Sequence, residues 1–177
     1  MKTFYFVLLL LGSMSLQAQD STQLNRFWNN TEIGLLIGGL ERSFTGLQIL
    51  STTGYRLSNN FSLGFTTGID ANEIAILPLL LHSRWHFAPT KRVNPYLGAS
   101  AGWGIGLARK TPSYDTKGGF IGEISAGLQI NRGKQTGFSL ALAYRWQQYQ
   151  ETYNYFNVEE IYHYKISRLC FRFGWHF

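Results

Sequence analysis

Leu169-Cys170-Phe171-Arg172-Phe173-Gly174-Trp175-His176-Phe177 decides how this chain is read. Taken two at a time, Leu169, Phe171, Phe173, Trp175 and Phe177 fall on one side. Cys170, Arg172, Gly174 and His176, preceded by Arg168, fall on the other. A helix would scatter both sets around its circumference, whereas a strand separates them. One face is too aromatic for water, and the other carries two arginines and a histidine. Apolar side chains outside and charged ones inside are what a barrel strand in a membrane requires.

The same alternation recurs toward the N-terminus. It predicts strands over 31–40, 44–57, 61–70, 76–87, 95–108, 118–131 and 138–147 before the closing one. In 61–70, for example, Phe61, Leu63, Phe65 and Ile69 alternate with Ser62, Gly64, Thr66, Gly68 and Asp70. Ser58-Asn59-Asn60 and Asn131-Arg132-Gly133-Lys134 are turn signals between such runs. Pro78 donates no ladder hydrogen bond, so it belongs near a strand end or bulge. Gly98, Gly102, Gly104 and Gly106 recur on one face, making room in a narrow lumen, with no Lys-Ser/Thr pair behind them to make a phosphate loop. The count is eight, an all-β, eight-stranded antiparallel up-and-down transmembrane β-barrel with both chain ends on one side. The two longest connections, 109–117 and 150–162, are then expected on the cell surface.

A soluble barrel would invert this arrangement, with its apolar face inside. Trp85, Trp103, Trp146 and Trp175, together with the Phe and Leu rows, are too bulky for the lumen of eight strands. Near strand ends they suit interfacial girdles.

Lys2, the apolar run from Phe4 to Leu11 and the small residues after it read as a cleaved signal peptide over 1–19. Removing it leaves roughly 158 residues, one domain by length. Residues 20–30 are expected as a short periplasmic segment and 31–177 as the barrel. No other stretch approaches the roughly 20 apolar residues of a membrane helix. Cys170 is the only cysteine, so no internal disulfide forms. The net charge of +6 is spread along the chain without a basic helix or nucleic-acid motif, so no nucleic-acid partner is expected. Arg109, Lys110 and Lys117 share one loop, which either meets outer-leaflet phosphates or is simply solvated.

The closing run resembles the terminal strand of bacterial outer-membrane β-barrels, which ends in an aromatic residue, usually Phe. The resemblance implies that Leu169, Phe171, Phe173, Trp175 and Phe177 form the signal read by the barrel-assembly machinery. Ala18-Gln19 is similar to the cleavage site common in Bacteroidetes signal peptides. Leu77-Pro78-Leu79 running into Arg84-Trp85-His86-Phe87, then Pro95-Tyr96-Leu97-Gly98, resemble the small barrels of the OmpA/OmpX-type and PorT-like group. That group is functionally mixed, so the resemblance implies architecture and outer-membrane location more than role.

Arg84, Glu123, Arg145, Arg168 and Arg172 are expected to face inward as a lumenal polar network. Unpaired buried charges are costly, so Glu123, read as the only carboxylate near mid-strand, should meet an arginine such as Arg84, Arg168 or Arg172. A side-chain-filled lumen with a structural or surface-interaction role is the expectation, and a narrow anion-favouring pore the alternative. A lipid A-modifying enzyme comes third. His82 and Ser83 are adjacent and so face opposite sides of a strand, and no catalytic residue emerges. His82 and His86 stand about 13 Å apart on a strand, too far to share an ion. No metal or cofactor is expected. Tyr149, Tyr153, Tyr155, Phe156, Tyr162 and Tyr164 either form an upper aromatic girdle or offer surface contacts, with Tyr153, Tyr155 and Phe156 at the loop tip. The expected partners are outer-membrane lipid or lipopolysaccharide and an unidentified surface ligand or protein. The barrel itself is expected to be a monomer.

Overall fold

The computed structural model of the chain describes residues 26–38, 46–71, 75–107, 114–132, 136–155 and 158–177. The expected signal peptide, residues 20–25 and the pair Arg109-Lys110 lie outside them. The strands are β1 (Phe27–Ile37), β2 (Gly46–Arg56), β3 (Phe61–Ala71), β4 (Ile76–His86), β5 (Val93–Gly106), β6 (Tyr114–Lys117), β7 (Phe120–Asn131), β8 (Gly137–Tyr155) and β9 (Val158–His176). Eight of them, all but the short β6, form the staves of an antiparallel up-and-down barrel. It closes where β9 meets β1, from Asn30 opposite His176 to Ile37 opposite Leu169. Closure pairs the edges that an open sheet would expose.

The side chains are arranged inside out relative to a soluble protein. Phe171, Phe173 and Trp175 are each about half exposed, as are Trp85 and Trp103 on other staves. Arg145, Asp70, Glu123 and Gln48 are buried within. The hairpin β8–β9 marks where the apolar belt stops. On β8 the outward row runs Phe138, Leu140, Leu142, Tyr144, Trp146 and then turns polar at Gln148 and Gln150. On β9 it runs Phe177, Trp175, Phe173, Phe171, Leu169 and turns polar at Ser167 and Lys165. Because Tyr144 lies opposite Leu169 and Trp146 opposite Ser167, both strands change character at one level. Each apolar run is about nine residues, the length a tilted membrane strand needs.

Four departures from the sequence reading have physical causes. First, β1 begins at Phe27, inside the expected 20–30 periplasmic segment. Asn29 and Phe177 exchange backbone hydrogen bonds of 2.9 and 3.0 Å, and Asn30 is buried. Asn30 and Glu32 are polar because they face the lumen, and Asn29 and Thr31 lie on the other face of a paired strand rather than in a tail. Trp28 does fit the lumen, because a Cβ on its neighbour Gly54 would sit 2.7 Å from the indole ring.

Second, residues 150–155 and 158–162 of the expected loop are strand. β8 and β9 stay paired from Gly137 opposite His176 to Tyr155 opposite Val158, so the hairpin continues past the belt. Tyr153 and Tyr155 are therefore strand residues, and Phe156 lies outside the described residues. Third, the expected loop 109–117 contains β6, which pairs with β8. Lys117 faces Gln150 and Ile121 faces Gln147, so the β6–β7 side holds one residue more than β8 over this interval. The extra residue is a bulge at Gly118-Gly119. Fourth, Glu123 is not the only mid-strand carboxylate, since the earlier start of β1 puts Glu32 at its centre. Pro78 is third in β4, and the β3–β4 ladder skips it between Leu79 opposite Thr67 and Ile76 opposite Asp70.

Candidate functional site

The lumen is filled in layers. Alternation carries one residue in two from each stave into it, and the staves' differing registers set the level of each. Nearest the long hairpin, Ile76, Leu80, Ile121 and Tyr149 form a buried apolar cluster with Tyr164 and Ile166 against it. Gly104 sits at this level, where a Cβ would come within 2.8 Å of both Ile76 and Ile121. Tyr149 and Tyr164 are opposite each other across β8–β9, stacked at 4.9 Å, so neither is a loop aromatic. Beside them Leu36, Ala143 and Cys170 pack together on three neighbouring strands.

Next comes a chain of ion pairs. Glu123 on β7 is directly opposite Arg145 on β8 and accepts a hydrogen bond from its Nε at 2.8 Å. Arg145 Nη1 donates to Asp70 Oδ2 on β3 at 2.5 Å. The second guanidinium on Glu123 belongs to Arg172 of β9, which donates Nη1 to Oε1 at 2.7 Å and Nη2 to Oε2. Arg172 also lies 3.8 Å from Glu32 of β1, and Arg84 of β4 lies 3.9 Å from the same carboxylate. One connected set of charges thus spans five of the eight staves and Arg84 on a sixth. A buried arginine is tolerable only with such partners, and removing one carboxylate strands a charge.

The network differs in detail from the expected one. Arg145, Arg172 and Glu123 come together. Arg84 does not reach Glu123; its guanidinium carbon lies over the rings of Tyr96 at 4.1 Å and Trp28 at 5.0 Å, a cation–π arrangement. Arg168, opposite Arg145 on β9, makes no ion pair among the described residues. Sequence reasoning missed the roles of Asp70 and Glu32. Alternation with Ile33 and Leu35 turns Glu32 inward, and alternation with Ile69 turns Asp70 inward, but their arginine partners depend on register and on barrel closure.

Toward the short turns the lumen becomes polar without carboxylates. His82 Nδ1 is 2.8 Å from Ser100 Oγ, Asn94 Nδ2 donates to His86 Nδ1 at 2.9 Å, and His176 Nε2 donates to Asn131 Oδ1 at 3.2 Å. Each histidine is thus held by a neutral partner, on the adjacent β5 for His82 and His86 and across β8, on β7, for His176. Leu169, Phe171, Phe173, Trp175 and Phe177, expected as an assembly signal, all lie on the outer face of β9 and its end.

No protein-family model matches the sequence, and no curated protein matches it. Its likeness is to solved folds. Neisserial surface protein A superposes with a TM-score of 0.65 at 12% identity, covering 86% of this chain and 96% of that one. The outer membrane protein OprG from Pseudomonas aeruginosa gives 0.62 at 10% identity, with 85% and 95% covered. The outer membrane protein AlkL, solved in lipid bilayers, gives 0.60 at 15% identity, with 90% and 93% covered. The shared property is the small eight-stranded barrel itself.

Proposed function

We propose that the protein is an integral outer-membrane barrel with a closed lumen, and that its role is structural or surface-interaction rather than conduction. The observation that carries this is the chain Asp70–Arg145–Glu123–Arg172 crossing the lumen beneath an apolar layer. An ion crossing the barrel would have to part buried pairs and pass a level walled mainly by aliphatic and aromatic side chains, which is costly. The exposed belt supports residence in lipid. The even number of staves supports a topology in which both chain ends and the short turns face the periplasm. The hairpin β8–β9 then rises from the outer surface as the element available to partners.

The test is single-channel conductance of the refolded protein in a planar bilayer, with heat-modifiable migration as the control for folding. Silence from a folded barrel is the expected result. Stable steps whose size or ion preference changes when Arg145 or Arg172 is neutralised would overturn it in favour of an anion-favouring pore.

A further inference from the structure

The short-turn rim carries a charge pattern that a closed barrel does not need. Arg26, Lys91, Arg92 and Arg132 are exposed there. The turns 56–61, 86–93 and 131–136 contain no Asp or Glu, although the chain has ten. Beyond residue 30, every carboxylate side chain belongs to the lumen or to sequence at the opposite end. Arg26 immediately precedes Phe27, Arg92 immediately precedes Val93, and Arg132 follows Ile130 by two residues. Phe27 and Val93 are exposed apolar residues that close their outward rows at this end. Each basic side chain is therefore about one or two strand steps, roughly 3–7 Å, beyond the last residue of the apolar belt. That is the height of a headgroup phosphate. The belt's own edge here is aromatic: Phe27 packs edge-on to Tyr55 at 5.1 Å and Phe61 against Trp85 at 6.0 Å. Such rings sit at the headgroup level of a bilayer.

Three of the four charges are also held together. The turn after β4 and the turn after β7 are stitched by Asn131, whose backbone N–H donates to Arg92 O at 2.8 Å and whose Nδ2 donates to Lys91 O at 3.0 Å. Ala88 N–H donates to Asn94 Oδ1 at 3.0 Å, and Lys91 N–H to Ala88 O at 3.0 Å, fixing the first turn. Lys91, Arg92 and Arg132 thus project from two adjoining, braced turns, and none of them is in an ion pair among the described residues. Like charges kept side by side without a protein partner repel unless something anionic lies between them.

We infer that the Lys91–Arg92–Arg132 cluster binds the phosphates of anionic phospholipids in the leaflet at the short-turn rim, with Arg26 contributing further round the barrel. The inference rests on the membrane-barrel reading above, but not on whether the lumen conducts. A lipid is the fitting occupant because the cluster continues an apolar belt, so a headgroup can be bound while its chains lie on Trp85, Phe87 and Val93.

The experiment uses the refolded barrel in nanodiscs of phosphatidylcholine with a minor share of phosphatidylglycerol, followed by native mass spectrometry of the lipids retained. A basic side chain beside an anionic surface is worth roughly a fivefold preference. Wild type should therefore retain phosphatidylglycerol at least about fivefold above its share of the bilayer, and added salt should reduce the excess. The triple variant Lys91→Gln, Arg92→Gln, Arg132→Gln should fall to the bilayer ratio. Lys165→Gln, exposed at the opposite end, should leave the excess intact. No excess in wild type, an unchanged excess in the triple variant, or equal loss in Lys165→Gln would each overturn the inference. A protein that does not enter nanodiscs at all would instead sink the membrane-barrel reading, and that failure is seen before any lipid is counted.

Discussion

The lower and upper halves of the hairpin β8–β9 are the same two strands in one unbroken register, yet they are built for different solvents. Below the level of Trp146 and Leu169 the outer face is aromatic and aliphatic, and the inner face is fixed by Arg145 and Arg172 gripping Glu123. Above it the outer face carries Gln148, Gln150, Lys165 and His163, and Ile161, Tyr162 and His163 are exposed in succession. Backbone pairing continues through the boundary because each N–H and C=O still finds its cross-strand partner whatever lies outside. Only the side chains record where lipid ends.

The comparison is broken most severely from the inside of the lower half. Glu123→Ala leaves Arg145 with Asp70 alone and Arg172 with Glu32 at 3.8 Å. Losing one partner from a buried pair costs about 3–5 kcal/mol. The expected outcome is a large fall in the urea midpoint for unfolding in lipid vesicles. An unchanged midpoint would mean that water already bathes these groups and that the lumen is not filled in the way proposed.

From the outside, Phe173→Arg places a charge midway along the apolar row, where Phe173 is 54% exposed and stacks on Phe138 at 5.7 Å. An arginine facing lipid near the midplane costs about 2–4 kcal/mol. The same titration reads it. A cost near zero would show that this face does not meet hydrocarbon.

How much of this was legible in the sequence follows the same boundary. Where lipid and lumen differ sharply, alternation named the outward and inward residues of most staves, from Phe61 through Trp175. It failed wherever both faces are polar. Asn29 and Asn30 looked like a tail because between Phe27 and Ile33 the outward row, Asn29 and Thr31, is as polar as the inward Asn30 and Glu32. Residues 150–162 looked like a loop because outside the bilayer nothing requires one face to be greasy. The pairing within the lumen was legible only in part. That Glu123 and Arg145 occupy successive staves could be read, but that they share a rung depends on register. The reach of Asp70 from β3 to Arg145 on β8 depends on the barrel closing. Trp28 was hidden for a different reason: its place in the lumen exists only because Gly54 stands beside it.

The smallest effect sharpens the comparison most. Ile161 lies on the same outward row as Phe173, opposite Thr152, and is 49% exposed. It is eight residues beyond Leu169, about 26 Å along the strand. If the outer row leaves the bilayer at Leu169, Ile161→Arg exchanges one solvated side chain for another and should change stability by less than about 0.5 kcal/mol. The identical substitution would then differ by a few kcal/mol between two positions on one face of one strand, with the lipid boundary between them as the cause. Measured in the same vesicles, a penalty at Ile161 comparable to that at Phe173 would move the boundary up the hairpin and turn the projecting half into part of the membrane wall.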